Sequence, residues 1–187
     1  MKLKIALIIT GIITSIIVIT SCSTEDKKAL KVFVSQNSNL LIYPVHILSN
    51  QTSSFDTIIS KKIAKYINDN NYAAARVTQL CPPANTQWVK NEGKMLTNSI
   101  NLFTAFVKSN NVPKNTYNLN IEFLKRGNNS RIFAVHYCLL NNKGEISMKG
   151  LLNSLWKEFK TVNPKTNDDC VAVFINGFEQ KIKDSKE

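Results

Sequence analysis

Glycine and histidine are scarce in this chain, with six glycines and two histidines in 187 residues. The glycines never fall into the spacing of a dinucleotide fingerprint or a phosphate loop, so neither nucleotide motif is present. There is no H-E-x-x-H, no G-x-S-x-G and no C-x-x-C, which removes the commonest metalloprotease, hydrolase and thiol-redox signatures. Acidic residues are also few, 13 against 24 lysines and arginines. Glu122 falls on a strand, Glu145 near a turn and Glu158 beside Trp156. Nothing in that spacing converges two carboxylates as a glycosidase requires. No cofactor is implied and no catalytic residue is assigned.

What the chain does have is a leader. Lys2 and Lys4 precede an apolar run from Ile5 to Thr20, and Ile19-Thr20-Ser21-Cys22 closes it. A positive n-region, an apolar h-region and a small residue before the cut are the three parts of a signal peptide. With a cysteine directly after the cut, the segment resembles a bacterial lipoprotein signal with its lipobox. The resemblance implies cleavage after residue 21 and diacylglycerol on the Cys22 thiol, with palmitate as the expected label. It also implies a lipid-anchored place in the cell envelope of a Gram-negative bacterium, facing the periplasm or the surface. The alternative is an uncleaved helix, because the run is near the lower limit for a span, about 17 residues. Glu25 and Asp26 resemble the surface-export signal of some Gram-negative lipoproteins and equally suit a plain polar tether.

The leader holds two lysines and no acid, so the mature part stays strongly basic. Its basic residues are dispersed: Lys61, Lys62 and Lys65; Lys125, Arg126 and Arg131; Lys181, Lys183 and Lys186. That pattern fits a solvated face and names no nucleic-acid site. Cys81, Cys138 and Cys170 remain beside Cys22, an odd set that allows at most one internal bridge or three buried thiols.

About 165 residues after the leader suffice for one core. Residues 22–37 are expected to be a tether with a first short strand at Leu30–Val34, and residues 38–187 one domain. Leu40–Leu48 reads as a strand with Leu41, Tyr43, Val45 and Ile47 on one face and Pro44 at an edge or bulge. Ser49–Ser54 reads as a loop. Ser53–Asp69 reads as a helix, capped by Ser53 with Asp56, burying Phe55, Ile59, Ile63, Tyr66 and Ile67. Ala73–Leu80 completes a β-α-β unit, with its strands parallel.

After Cys81-Pro82-Pro83 a second helix is expected over Thr86–Ser109, with Trp88, Met95, Leu96, Ser99, Leu102, Phe103 and Phe106 as its stripe. Tyr117, Leu119, Ile121 and Phe123 alternate with Asn118, Asn120 and Glu122, the pattern of one buried and one wet strand face. Arg131–Leu140 is apolar enough for a central strand, and Glu145–Met148 suits a return strand. Leu151–Phe159 is a short helix or packed loop. A last helix begins at a Thr166/Asp169 capping box and buries Cys170, Val173, Phe174, Phe178 and Ile182. The sum is a single-domain α/β fold with a mixed sheet and about three helices, ordered β-β-α-β-α-β-β-(β)-α. Over residues 38–184 this order is similar to TolB N-terminal-like and penicillin-binding-protein-activator-like domains, which implies an envelope partner-binding domain and carries no residue role.

Two constellations merit testing against the fold. His46 and His136 lie in β runs, and Cys138 follows His136 on the same face; separate strand histidines are the plain reading, a metal pair or a Cys/His dyad the sharper ones. Trp156, Phe159 and Leu152 could line a ligand groove, or be core. The expected function is a non-catalytic lipoprotein domain that binds a protein or cell-wall partner. The alternative is a small-ligand or lipid-binding lipoprotein with a pocket near 151–159.

Overall fold

The computed structural model describes residues 27–36, 38–49, 52–87, 89–126 and 131–186. The leader, Cys22, Glu25, Asp26 and Trp88 lie outside them. The elements run α1 (27–35), β1 (Asn39–Ile42), β2 (Val45–Ser49), β3 (Thr52–Asp56), α2 (Thr57–Asp69), β4 (Ala74–Val77), α3 (Glu92–Ser109), β5 (Thr116–Arg126), β6 (Arg131–Leu140), β7 (Ile146–Asn153), α4 (Lys157–Val162) and α5 (Asn167–Lys186). The class is mixed α/β around one seven-stranded sheet, as expected, with more helices than the sequence pattern suggests.

The long strand β5 organises the sheet. Antiparallel β6 lines one edge of it, and β7 pairs antiparallel outside β6. The other edge is shared: parallel β1 covers Thr116–Leu119 and parallel β2 covers Glu122–Lys125. Outside these lie β4, parallel to β1, and β3, antiparallel to β2. The parallel β1/β4 pair around α2 is the expected β-α-β unit.

Pro44 separates β1 from β2 and changes the phase of the side chains. Leu41 stands opposite Asn118 and His46 opposite Glu122, so five steps along this edge match four along β5. The extra residue is a bulge at Tyr43-Pro44, where proline offers no N–H to the ladder. Leu41 and Tyr43 therefore share a face with His46 and Leu48, not with Val45 and Ile47. Leu40, Ile42 and Val45 pack into the opposite core.

That opposite core lies beneath α1, α2 and α5. Phe33, Ile59, Ile63, Ile67, Phe174, Phe178 and Ile182 meet Leu119, Ile121, Phe123, Val135 and Tyr137 there. Burying one such side chain is worth about 1.5–3 kcal/mol, which lets packing override weak local preference. Residues 30–34 are a case: they look β-like, yet they belong to helix α1, where Leu30 and Phe33, one turn apart, both enter the core. The Phe33 ring stands edge-on to Tyr117 at 4.9 Å.

The expected loop over Ser49–Ser54 is strand where it is described, Ser49 ending β2 and residues 52–54 opening β3, while residues 50 and 51 lie outside the described residues. Thr52–Asp56 forms β3, a largely exposed edge strand, invisible to alternation because neither face meets apolar surface. Helix α2 consequently starts later, and its cap is Asp56, whose Oδ1 accepts from the Ile59 N–H at 2.9 Å. Phe55 leaves the helical stripe and stands about half exposed, while Ile59, Ile63 and Ile67 stay buried. Helix α3 begins at Glu92, capped by Asn91, whose Oδ1 accepts from Lys94 N–H at 3.0 Å. Its buried stripe is Met95, Ser99, Ile100, Phe103 and Val107; Leu102 is exposed.

The expected wet face of β5 is dry, with Asn118, Asn120 and Glu122 all buried beneath α3 and its flanking segment. β6 is central and covered on both faces, as expected. β7 extends to Asn153, beyond the expected return strand, because Leu151 and Leu152 keep pairing with His136 and Val135. The expected Leu151–Phe159 segment thus divides into the end of β7, a turn and α4. Helix α5 has the expected capping box: Thr166 N–H donates to Asp169 Oδ2 at 2.8 Å, and Asp169 N–H to Thr166 Oγ1 at 3.2 Å. All five of its expected stripe residues are buried.

Candidate functional site

The fold brings the two histidines together. His46 on β2 and His136 on β6 both stand opposite Glu122 on β5, so the three form a row across adjacent strands. The Pro44 bulge is what aims His46 into it. Glu122 Oε2 accepts from Ser99 Oγ on α3 at 2.8 Å and lies 3.7 Å from His136 Nδ1. Among the described residues, no ring nitrogen of His46 or His136 has a hydrogen-bond partner. The Phe55 ring stands edge-on against His46 at 4.9 Å. Burial holds His46 below its ordinary value, and the Glu122 carboxylate pulls weakly the other way.

The row is sealed, its residues being at most 2% exposed. Among the described residues no group of three His, Cys, Asp or Glu is placed to hold a metal ion. Cys138 shares the face, but burial, with Glu122 second, pushes its thiol far above the ordinary value. A neutral, enclosed thiol beside an imidazole with no hydrogen-bond partner is not the geometry of an activated Cys/His dyad. Cys81, Cys138 and Cys170 are all free, so no bridge forms among them.

An accessible cleft lies at the other side of β6. A cleft of about 260 Å³ opens along β7 and α5, lined by Tyr137, Gly150, Leu152, Trp156, Glu158 and Gly177, with Leu96, Leu151, Lys149, Gln180, Lys181 and Asp184 around them. Two of the three residues expected to line a groove, Trp156 and Leu152, are here. Phe159 is not: it is turned into the core beneath α4. A smaller hollow of about 90 Å³ continues past Lys149 and Lys181 to Ser147, Met148, Leu30 and Lys27.

Two glycines shape the walls. Gly150 stands opposite Tyr137, whose ring occupies the place a side chain would take. On α5, a methyl at Gly177 would come within 2.5 Å of Leu152 Cδ1, so helix and strand approach closely only because that position is bare. The β7 end of the site is tied to α3, where Asn153 Nδ2 donates to Glu92 Oε2 at 2.7 Å.

The floor of the cleft is polar and unsatisfied. Tyr137 is 1% exposed, and its hydroxyl has no hydrogen-bond partner among the described residues. Burial first, then the Glu158 carboxylate, raises the phenol well above its ordinary value, so it stays a neutral O–H. Glu158 Oε2 is likewise enclosed without a partner among the described residues. Leaving such groups unpaired costs about 1–3 kcal/mol each, and native structures rarely do so without a reason. An apolar cleft with a few convergent polar groups is the ordinary form of a small-molecule site.

Pattern reading finds Trp156 and Leu152 and passes over Tyr137, Glu158, Gly150 and Gly177 as a site. Tyr137 lies inside a continuous apolar run, and only the β6/β7 register places a glycine across from it. Of the described residues, no helix is long and apolar enough to cross a membrane. No family model, curated protein or solved structure matches the chain.

Proposed function

We propose that the chain is a lipid-anchored envelope protein whose α/β domain binds a small amphiphile in the cleft between β7 and α5. The carrying observation is the Tyr137 hydroxyl, buried and unpartnered at the cleft floor beside the enclosed Glu158 oxygen. A ligand with an apolar body would cover Leu96, Leu151, Leu152 and Trp156. A hydroxyl or amine on that ligand would donate to Glu158 and meet the Tyr137 O–H. The anchor in this reading rests on the Ile19-Thr20-Ser21-Cys22 leader.

Native mass spectrometry of the full chain released from membranes tests the cleft. A retained small molecule is expected, and Tyr137→Phe is expected to weaken its binding at least tenfold while melting with the parent. An empty cleft after exposure to an envelope extract, with the same spectrum for both proteins, would end this reading.

A second reading, docking of a protein or cell-wall partner, is favoured by Leu155 and Trp156 at the rim. Leu155 is 80% exposed and Trp156 47%. A cross-linker placed at residue 155 distinguishes the two, since a partner would be trapped there and a small ligand would not.

A further inference from the structure

We infer that the ligand of this cleft carries an anion at one end, bound by Lys149 and Lys181 with Lys27 beside them. The inference rests on the proposed ligand site and names its chemical class: a single apolar chain or ring with a hydroxyl or amine at one end and a carboxylate or phosphate at the other.

The cleft has two unlike ends. At the Trp156 end, Tyr137 and Glu158 present one neutral O–H and one carboxylate, which suits a donor and repels an anion. At the other end, the continuing hollow is lined, among the described residues, by Lys27, Lys149 and Lys181 against a single acid, Asp184. Asp184 is already engaged, its Oδ1 accepting from Gln180 Nε2 at 2.7 Å. Among the described residues none of the three lysines is in an ion pair. Cations on β7, α5 and α1 face one hollow, so they come from three separate elements rather than from one solvated helix side.

Lysines at the mouth of an apolar cleft gain from an anion whose own body excludes water nearby, because partly desolvated charges attract more strongly than exposed ones. Size sets a further limit. A cleft of about 260 Å³ lies at the small end of ligand pockets, so it admits one chain or ring and not a paired-chain lipid. With Cys22 lipidated, Lys27 lies within about 18 Å of the anchored residue along the chain, which keeps the basic end near the bilayer surface.

The experiment is calorimetry on the purified full chain in neutral detergent, each titration corrected by a protein-free control. Four chain-matched probes are compared: ω-hydroxydecanoate, ω-hydroxydecyl phosphate, decane-α,ω-diol and decanoate. Either anionic hydroxy-compound is expected to bind at least tenfold tighter than the diol, and the tighter of the two identifies a fatty-acid or a phosphate source. In the Lys149→Gln/Lys181→Gln protein, whose changes are both at exposed positions, that advantage over the diol should vanish. Equal binding of diol and anions, or an advantage that survives the double substitution, would overturn the anionic end and leave the cleft standing. If none of the four binds, the proposed ligand site itself falls. Decanoate reports on the hydroxyl end separately, and binding as tight as ω-hydroxydecanoate would remove the role given to Tyr137 and Glu158.

Discussion

Gly150 of β7 and Tyr137 of β6 are direct partners in the antiparallel register, and the phenol ring lies over the bare Cα. That one juxtaposition makes the floor of the cleft. Gly150→Ala puts a methyl into the ring and forces Tyr137 or the strand to move. Overpacking of this kind costs about 1–3 kcal/mol. The expected result is a lower denaturant midpoint with an unchanged m-value, together with loss of ligand binding. A variant as stable as the parent would show that the ring is free to leave its place.

Acid should weaken the fold through His46. Its folded value lies below the unfolded one, about 6.5, so the native state binds fewer protons than the unfolded chain. The stability contribution is therefore complete above the unfolded value and is lost as the pH falls below it. The groups facing His46 are Glu122 and His136 in the row, Cys138 on the same face and the Phe55 ring from β3. Chemical denaturation at pH 7.5 and at pH 5 should show the loss, and His46→Phe should flatten the slope. An identical slope in that variant would shift the effect to other groups.

Thiol chemistry separates the three cysteines. Cys81 is exposed, while Cys138 and Cys170 are buried. Burial is the main cause that raises the Cys170 thiol to about 12 and the Cys138 thiol further still. Apart from Cys22, one thiol should alkylate in the native protein at neutral pH, and three in denaturant without reductant. Only one after unfolding would mean that two have oxidised to a bridge.

The anchor has its own test. Cys22→Ser should abolish incorporation of radioactive palmitate and leave the leader uncleaved. Labelling that persists in the variant would dispose of the lipobox reading.

Glu122 and Ser99 are one hydrogen bond apart on β5 and α3, 2.8 Å. Ser99→Ala leaves a buried carboxylate oxygen without its donor. Loss of a bond to a charged group costs about 1.5–3 kcal/mol. Thermal unfolding should move down accordingly, and an unchanged midpoint would show that Glu122 finds another partner.

Much of the architecture is legible without coordinates. The Thr166/Asp169 box, the stripe of α5, the late part of α2 and the apolar run of β6 all follow from local periodicity and capping chemistry, which depend on neighbours along the chain. Two of the cleft residues, Trp156 and Leu152, announce themselves because a large aromatic sits in an irregular segment. The polar side of β5 misleads for an equally plain reason. Alternation tells which residues share a face, but not whether water or a helix lies against it.

What tertiary structure alone decided is register and coverage. The Pro44 bulge turns His46 toward Glu122 and His136, since one extra residue exchanges the two faces of a strand. The β6/β7 pairing sets Gly150 over Tyr137, and α5 closes on Leu152 at Gly177. These are contacts between residues far apart in sequence, set by how strands slide and helices pack. Linear order therefore carried the elements, and the cleft with its unpaired hydroxyl arose only when the sheet was assembled.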